Sequence, residues 1–317
     1  MSKLVHRLKS LLQHGELWMI GTALCYAVAN LFDQIAMVQA DPFVASTIKA
    51  LLVSLFALAV LILSRNRLGL STKSRSYWKG AARIYIAAGV VSEVIGTAAF
   101  LQAMKVGGIN IATPMVQTWV IWSAIGSVLF LKEKVHAKTF IGLALALVGL
   151  LGLTYFQQRG IPFTPDWPKG IPYGLVAALG WAGSTILIRK GQTEGINRYV
   201  GMFMQFTAAL VGLLIVIALT QRGNLFAQIP TETYLYLILS AIVAGVLGMI
   251  CMYTALKLSP IEKVVPIIAG YPVLAALGGA LFLGNYLNLG MMGGIVLVAA
   301  GVAVCQGRVL LNRRRRS

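Results

Sequence analysis

The chain has 317 residues, of which 58% are hydrophobic and only 11% are charged. Soluble globular domains are about one quarter charged, so this composition excludes an ordinary soluble fold. The formal net charge of +18 is typical of proteins that bind nucleic acids. We nevertheless expect no nucleic acid partner, because the basic residues are spread between apolar segments in a pattern that matches membrane topology.

The first 16 residues precede the apolar segments and have an amphipathic pattern of their own. Leu4, Leu8 and Leu11 lie on one helical face, whereas Lys3 lies elsewhere. This pattern is typical of a short helix at a membrane surface rather than of a cleaved signal peptide. The segment 1–16 is therefore predicted to be a cytoplasmic interfacial helix.

Ten apolar segments follow, most of them close to the roughly 20 residues that cross a ~30 Å hydrocarbon core at about 1.5 Å per residue. Their hydrophobicity is continuous rather than confined to one stripe, which distinguishes them from the buried helices of soluble proteins. The sequence therefore predicts an all-α polytopic membrane protein. Its predicted transmembrane helices cover 17–37, 43–63, 81–104, 112–131, 139–156, 170–189, 197–219, 233–257, 264–283 and 289–307.

Basic residues are distributed unequally between the two sides of this predicted bundle. If ten helices alternate from a cytoplasmic N-terminus, most of the 27 Lys and Arg residues fall on the cytoplasmic side. This is the positive-inside pattern, so we predict a cytoplasmic (inner) membrane protein with both termini cytoplasmic. Its basic loops and tail are expected to contact the anionic inner leaflet of the lipid bilayer. The exceptions are Lys49, Lys105, Arg159, Lys169 and Arg222.

Two halves of the chain resemble each other. Shifting the sequence by 152 positions without gaps aligns 100–150 with 252–302. Five helices per repeat is an odd number, so the second copy must enter the membrane in the opposite sense, as in the inverted repeats of transporters. The aligned pairs least expected in so apolar a chain are Lys105 with Lys257, Pro114 with Pro266 and Phe130 with Phe282.

This internal symmetry gives the predicted organisation of the chain. A proline-rich stretch between the halves marks an outer linker. The predicted units are the N-terminal segment 1–16, a first five-helix repeat 17–156, the linker 157–169, a second five-helix repeat 170–307 and a basic cytoplasmic tail 308–317.

The segments AMKVGGINIATP and ALKLSPIEKVVP carry a family resemblance. Both resemble the end of an EamA-type repeat of the drug/metabolite transporter superfamily, and WAGSTILIRK resembles the start of one. The resemblance implies the ten-helix inverted-repeat fold and transport of amino acids, amines, nucleosides or drugs, with export favoured. One departure is the acidic residue matched at Glu133, which is Asn285 in the second copy. No role that requires both carboxylates is therefore assigned.

Glu93 is the strongest candidate for a functional residue. It lies ~18 Å into the third predicted helix, near the membrane midplane, where an ionisable group is costly unless it faces protein or water. It either binds a cationic group or exchanges a proton, or it is a neutral carboxyl hydrogen-bonded between packed helices. Its helical face is small and polar, which leaves room for a ligand. That face carries Gly89, Ser92, Gly96, Thr97 and Phe100.

Asp33 and Lys49 lie at similar depth on the first two predicted helices. Because an unpaired charge at that depth is costly, we predict a buried ion pair that fixes this hairpin. The functional alternative is an outer gate or a site for a zwitterion. Tyr26 and Asn30 share the Asp33 face of the first helix, so a polar strip extends toward the centre.

Amides, hydroxyls and aromatic rings inside other predicted helices complete the set of candidates, because small-molecule pockets combine apolar walls with a few placed polar groups. Trp18, Trp78 and Trp167 lie near helix ends and are predicted to be interfacial anchors instead. The candidate substrate-binding residues are Glu93, Asn30, Tyr26, Asp33, Thr97, Gln117, Trp119, Trp181, Ser184 and Tyr271.

Neither a metal site nor a cofactor is expected. The three cysteines are widely separated within predicted helices and the three histidines lie outside them, which leaves no His/Cys cluster.

Two further features are interpreted as structural. Pro114 and Pro266 are predicted to begin helices, where a missing N–H matters little. Gly290 and Gly294 form a small-xxx-small pair, which indicates close helix packing or a homodimer contact.

The leading functional hypothesis is a secondary transporter of a small polar metabolite that works by alternating access around Glu93 and Asn30. The chain has no GxxxxGK[ST] motif, so ATP is not the direct energy source. Two alternatives stay open, a lipid flippase of the same fold and a membrane scaffold without transport. An enzyme is not expected, because no HExxH motif or Ser and His pair falls at membrane depth.

Overall fold

The computed structural model describes residues 13–107, 109–157, 167–282 and 286–314. Within these ranges the chain forms helices and no strands, and ten helices are long and apolar enough to cross a membrane. The predicted all-α fold with ten spans is therefore confirmed. The spans are α1 (Gly15–Ala36), α2 (Pro42–Leu63), α3 (Arg75–Gly107), α4 (Ile111–Leu131), α5 (Ala137–Gln157), α6 (Trp167–Thr193), α7 (Arg198–Leu219), α8 (Thr231–Leu258), α9 (Ile261–Phe282) and α10 (Leu289–Gln306).

Several predicted segments are only partly covered by the structure. Positions 1–12, 158–166 and 315–317 lie outside the described residues, as does Asn285. The interfacial N-terminal helix, the linker, the basic tail and the boundaries between these units therefore stay predictions.

Most of the helices begin earlier than predicted, and α3 shows the largest difference. α3 begins at Arg75 rather than at position 81, because Ser74 caps its N-terminus by accepting a hydrogen bond from the Tyr77 N–H at 3.2 Å. The first turns of α3 are rich in basic residues, so hydropathy alone does not mark them as helix. α6 runs over Trp167–Thr193 and likewise extends beyond its predicted apolar part.

α4 and α9 are broken at equivalent positions of the two repeats. Pro114 and Pro266 lie inside the first segment of each helix, so the prediction that they begin helices is wrong. Inside a helix, proline removes one backbone hydrogen bond and crowds the preceding turn, which weakens the helix near the break. Discontinuous helices in corresponding positions are typical of transporters. The segments are Ile109–Gln117 and Trp119–Leu131 in α4, and Ile261–Ile268 and Tyr271–Phe282 in α9.

α3 and α8 each contain a π-helical segment near their middle. The segments are Val90–Gly96 in α3 and Ala241–Gly248 in α8, at equivalent positions of the two repeats. A π-helical turn holds extra residues and is found frequently at functional sites. Glu93 lies within the first of these segments.

The two repeats are interlocked. α1 packs against α8 and α9 of the second repeat, and α6 packs against α3 and α4 of the first repeat. Other close pairs include α2 with α7, α5 with α10, α3 with α7 and α2 with α8. This pattern is unchanged when the two repeats are exchanged, as expected of repeats related by symmetry. We call the face where α1 begins and α10 ends the terminal face, and the other end of the bundle the opposite face.

The glycines of α10 are used for packing against α5. A Cβ atom on Gly294 would lie 2.6 Å from the backbone nitrogen of Leu153, and one on Gly290 would lie 2.4 Å from the Phe156 ring. Such distances leave no room for a side chain, so these glycines permit close contact within one chain. The homodimer stays a prediction without a defined surface.

Candidate functional site

Glu93 lines the interior of the bundle. Its carboxyl lies deep among the helices, and the residue as a whole is partly accessible. The Ser92 hydroxyl lies 3.3 Å from Glu93 Oε1 and 2.9 Å from the Ala88 carbonyl oxygen, to which it donates. The π-helical segment therefore presents a carboxyl group to the space between the two repeats.

Two tyrosines from different repeats meet beside this carboxyl. The rings of Tyr26 in α1 and Tyr271 in α9 form an edge-to-face pair with centroids 5.9 Å apart. The Tyr26 hydroxyl donates to Met249 Sδ at 3.2 Å, and the Gln117 side chain of α4 lies near the Tyr271 hydroxyl. Both tyrosines are partly accessible, and each combines an apolar ring with a polar hydroxyl.

Asp33 and Lys49 form an ion pair next to the tyrosines. Lys49 Nζ lies 2.5 Å from Asp33 Oδ1, and the two side chains are 26% and 31% exposed. Lys49 lies within electrostatic range of Glu93, and Asp33 lies within electrostatic range of Tyr271. Side chains from five helices therefore lie in one region of the bundle. We call the set Tyr26, Asp33, Lys49, Glu93, Gln117 and Tyr271 the central cluster.

The central cluster combines charged, aromatic and hydrogen-bonding groups. It contains two carboxyl groups and one ammonium group, so ionisation of all three leaves an excess of one negative charge. Aromatic rings at its edge offer favourable contacts to an organic cation. The amide and phenol groups add hydrogen-bond donors and acceptors for a polar ligand.

The two repeats place an aromatic ring over the π-helical segment of the partner repeat. A Cβ atom on Gly248 would lie 2.9 Å from the Tyr26 ring, and one on Gly96 would lie 3.0 Å from the Trp181 ring. Glycine is therefore required at both positions for the rings to approach the backbone. Trp181 also packs against Phe100 with ring centroids 5.9 Å apart, and it is the counterpart of Tyr26 rather than a member of the central cluster.

The other candidate residues fall into two groups. Asn30 and Thr97 are partly accessible on the helices that carry Asp33 and Glu93, and they stay predicted ligands. Trp119 is 7% exposed within the hydrophobic core. Ser184 is 4% exposed and lies 3.4 Å from the Gln205 amide, which donates to its hydroxyl. Their burial favours packing roles for Trp119 and Ser184.

A buried polar network between α3, α6, α7 and α8 was not identified from the sequence. Gln205 Oε1 accepts a hydrogen bond from the Tyr253 hydroxyl, and Gln192 Nε2 donates to the Tyr85 hydroxyl at 2.7 Å. The Tyr85 and Tyr253 rings stack with centroids 5.7 Å apart. The only signal in the sequence is the presence of amides in apolar helices, which does not reveal their partners.

Glu133 and Arg189 link the repeats at the terminal face. Arg189 Nε donates to Glu133 Oε1 at 2.7 Å, and each side chain is 12% exposed. Glu133 Oε2 accepts from the Ile261 N–H at 2.9 Å, and Arg189 also donates to the Leu256 carbonyl oxygen at 2.5 Å. We call Glu133 and Arg189 the terminal clamp. Glu133 is the acidic residue that matches the repeat pattern in the first copy. The terminal clamp therefore does not require a carboxylate at the equivalent position 285.

Two further carboxylates link the repeats near the membrane surfaces. On the terminal face, Glu262 accepts from the His136 N–H at 2.8 Å. On the opposite face, Arg222 lies 2.6 Å from Asp41, which also caps the N-terminus of α2. The repeats are therefore bound to each other by ion pairs at both ends of the bundle.

Comparison with known proteins decides the family. The EamA-like transporter family matches residues 13–155 and 168–305, one match for each repeat. The chain belongs to the EamA-like transporter family. The resemblance found in the repeat motifs is thereby confirmed, and the protein is a multi-pass membrane transporter of this family.

Two relatives that are named as transporters agree with this assignment. An uncharacterized transporter of Clostridium kluyveri is 28% identical over 54% of this chain and 55% of its own length. The riboflavin transporter of Vibrio cholerae is 26% identical over 56% of this chain and 55% of its own length. The chain thus aligns with little more than half of each of these relatives. A solved crystal structure with 17% identity matches 96% of this chain and 99% of its own with a TM-score of 0.73, which shows the same fold.

The contact between Asp33 and Lys49 gives a first testable prediction. Lys49→Ala should destabilise the protein more than the same change does in an Asp33→Asn background, because the single change leaves a carboxylate without its cation. We expect a coupling free energy of about 1 kcal/mol or more in this double-mutant cycle. The measurement is the free energy of unfolding in mild detergent, with Lys79→Ala at an exposed position as the control. Additive losses would contradict the pair.

Proposed function

We propose that this protein is a secondary transporter of a small polar metabolite that is cationic or zwitterionic, such as an amino acid or amine. The main support for this proposal is the central cluster. In it, Glu93 and the ion pair of Asp33 with Lys49 lie beside two tyrosines where the repeats meet. The carboxyl groups provide partners for a substrate ammonium group, and Lys49 provides one for a substrate carboxylate. The protein is proposed to have no catalytic activity.

The transport cycle is proposed to be alternating access with rocking of one repeat against the other. The symmetric packing of the repeats supports this mechanism. The broken α4 and α9 and the paired π-helical segments also support it, because they place weakened backbone at the interface of the repeats. The terminal clamp and the Asp41 to Arg222 pair are groups that would open in turn. Export is the proposed net direction.

The proposed orientation places both termini and the terminal face in the cytoplasm, with the protein in the cytoplasmic membrane. It rests on the unequal distribution of basic residues. Single cysteines at Ser2, Gln158 and Ser317 test it with an impermeant thiol reagent on intact cells. We expect labelling at 158 alone. Labelling at 2 or 317 without labelling at 158 would refute the orientation.

A ligand screen tests the proposed substrate class. Purified protein is heated with amino acids, polyamines, nucleosides and sugars, because a ligand that binds only the folded state raises its melting temperature. Riboflavin joins the panel because one relative is named as its transporter. Hits are then measured for flux in liposomes. Stabilisation by cationic or zwitterionic compounds, with flux, supports the proposal, whereas a response only to neutral compounds argues against it.

A further inference from the structure

A cleft of about 440 Å³ lies on the terminal face, between the end of α2 and the start of α3. The short 3₁₀ helix Leu70–Thr72 in the connecting loop forms one wall. Gly69 begins this turn in the left-handed conformation, with φ of 59°, and buried Leu70 holds the turn against the bundle. The residues that line the cleft are Leu61, Ile62, Arg65, Leu70, Ser71, Lys73 and Trp78.

The charges of this cleft are all positive. Arg65 and Lys73 line it together, and no acidic residue does. In the part of the chain that the structure describes, neither of these two cations forms an ion pair with a carboxylate; Lys73 Nζ lies 5.1 Å from the Tyr77 ring centre. Both side chains are exposed. The Ser71 hydroxyl adds a hydrogen-bond donor between them.

An apolar surface adjoins these cations. Ile62 is 66% exposed near the end of α2, one turn before Arg65. Trp78 lies in the first turn of α3, and a tryptophan at a helix end is typical of the membrane interface. A phosphate between the cations would therefore have hydrocarbon-facing side chains directly beside it.

The equivalent loop of the second repeat differs because its cation is paired with a carboxylate. It connects α7 to α8 and also contains a short helix, Leu225–Gln228. Its cation Arg222 is paired with Asp41 at 2.6 Å and lies over the Phe43 ring. The first repeat offers no such carboxylate to Arg65 or Lys73 among the residues described. The two repeats share the loop architecture, and among the described residues the cations of the first loop have no carboxylate partner, which leaves them for an external anion.

We propose that this cleft binds the headgroup of an anionic phospholipid. The phosphate lies between Arg65 and Lys73, and an acyl chain runs along Leu61 and Ile62. A cation pair beside an apolar helix end recognises a lipid rather than a soluble phosphate, because the apolar side chains gain contact only from an attached chain. Since α2 carries Lys49 and α3 carries Glu93, a bound lipid joins two helices of the central cluster. The site does not depend on the identity of the transported substrate.

Native mass spectrometry and melting temperatures of the full chain in a nonionic detergent test this site. Phosphatidylglycerol is the probe, with phosphatidylcholine and inorganic phosphate as comparisons. The variant Arg65→Gln/Lys73→Gln should bind phosphatidylglycerol roughly thirtyfold more weakly, because two basic groups near the anionic headgroup are lost. The matched control is Arg67→Gln/Arg75→Gln, which removes the same charge from two exposed positions, one in the loop and one at the start of α3.

Saturable stabilisation by phosphatidylglycerol that the cleft variant loses and the control variant keeps would establish the site. Equal losses in both variants would refute it, because they would show a diffuse attraction to the basic loop. Equal binding of phosphatidylcholine would show that the cleft does not select an anionic headgroup. Equal stabilisation by inorganic phosphate would show that the cleft does not require a lipid. The single variants Arg65→Gln and Lys73→Gln give the same comparison if the double variant is unstable.

Discussion

Glu93→Gln is expected to purify normally and to lose substrate binding and transport. Glutamine keeps the shape of the side chain and an acceptor for the Ser92 hydroxyl, which lies 3.3 Å from the carboxylate. It removes the charge that would pair with a cationic substrate group. A hydrogen bond to a charged partner contributes enough to predict ~10- to 100-fold weaker binding. The measurements are substrate-induced thermal stabilisation and liposome flux.

The same variant separates a binding role from a proton-coupling role. If Glu93 exchanges a proton during transport, Glu93→Gln should abolish the pH dependence of flux, whereas a pure ligand role reduces flux at every pH. Glu194→Gln is the control, because Glu194 is exposed in the loop after α6. A Glu93→Gln protein with wild-type binding, flux and pH profile would leave Glu93 as a packed, neutral acid.

The sequence is sufficient to predict the positions of the spans, because hydropathy and charge reflect the membrane directly. It also singles out Glu93, Asp33 and Lys49, since ionisable groups inside apolar segments are rare enough to be conspicuous. Tyr26, Gln117 and Tyr271 could be named as candidates. Their convergence could not be predicted, because it depends on how α1, α4 and α9 cross.

The internal irregularities of the helices are not visible in the sequence. A proline such as Pro114 is compatible with the first turn of a helix and with its interior, and hydropathy does not distinguish the two. The π-helical segment around Glu93 is a change of hydrogen-bond register, which leaves the apolar pattern unchanged. Gln117 and Trp119 lie on either side of the break in α4, and both are buried.

The terminal clamp could not be predicted for a related reason. Glu133 and Arg189 are 56 residues apart and belong to different repeats, so no local pattern connects them. The repeat comparison pairs Glu133 with Asn285, which indicates no partner for the carboxylate. The structure instead shows one carboxylate that contacts both a side chain and the backbone of the other repeat.

Arg189→Ala is expected to destabilise the protein by about 3–5 kcal/mol, because the change leaves the largely buried Glu133 carboxylate without its cation. It also removes the donor to the Leu256 carbonyl oxygen. Glu133→Gln should cost less, since its amide oxygen can still accept from the Ile261 N–H. The measurement is the free energy of unfolding in mild detergent.

Lys190→Ala is the control for this change, because Lys190 is the next residue of α6 and is exposed. Its loss should change the stability by no more than about 0.5 kcal/mol, as for most surface substitutions. Combining Glu133→Gln with Arg189→Ala should recover part of the loss, since no carboxylate is then left unpaired. If the clamp also holds the terminal face closed, Glu133→Gln should increase labelling of a cysteine introduced at Arg198, the first residue of α7. Equal stabilities of Arg189→Ala and Lys190→Ala would show that the pair contributes nothing to holding the repeats together.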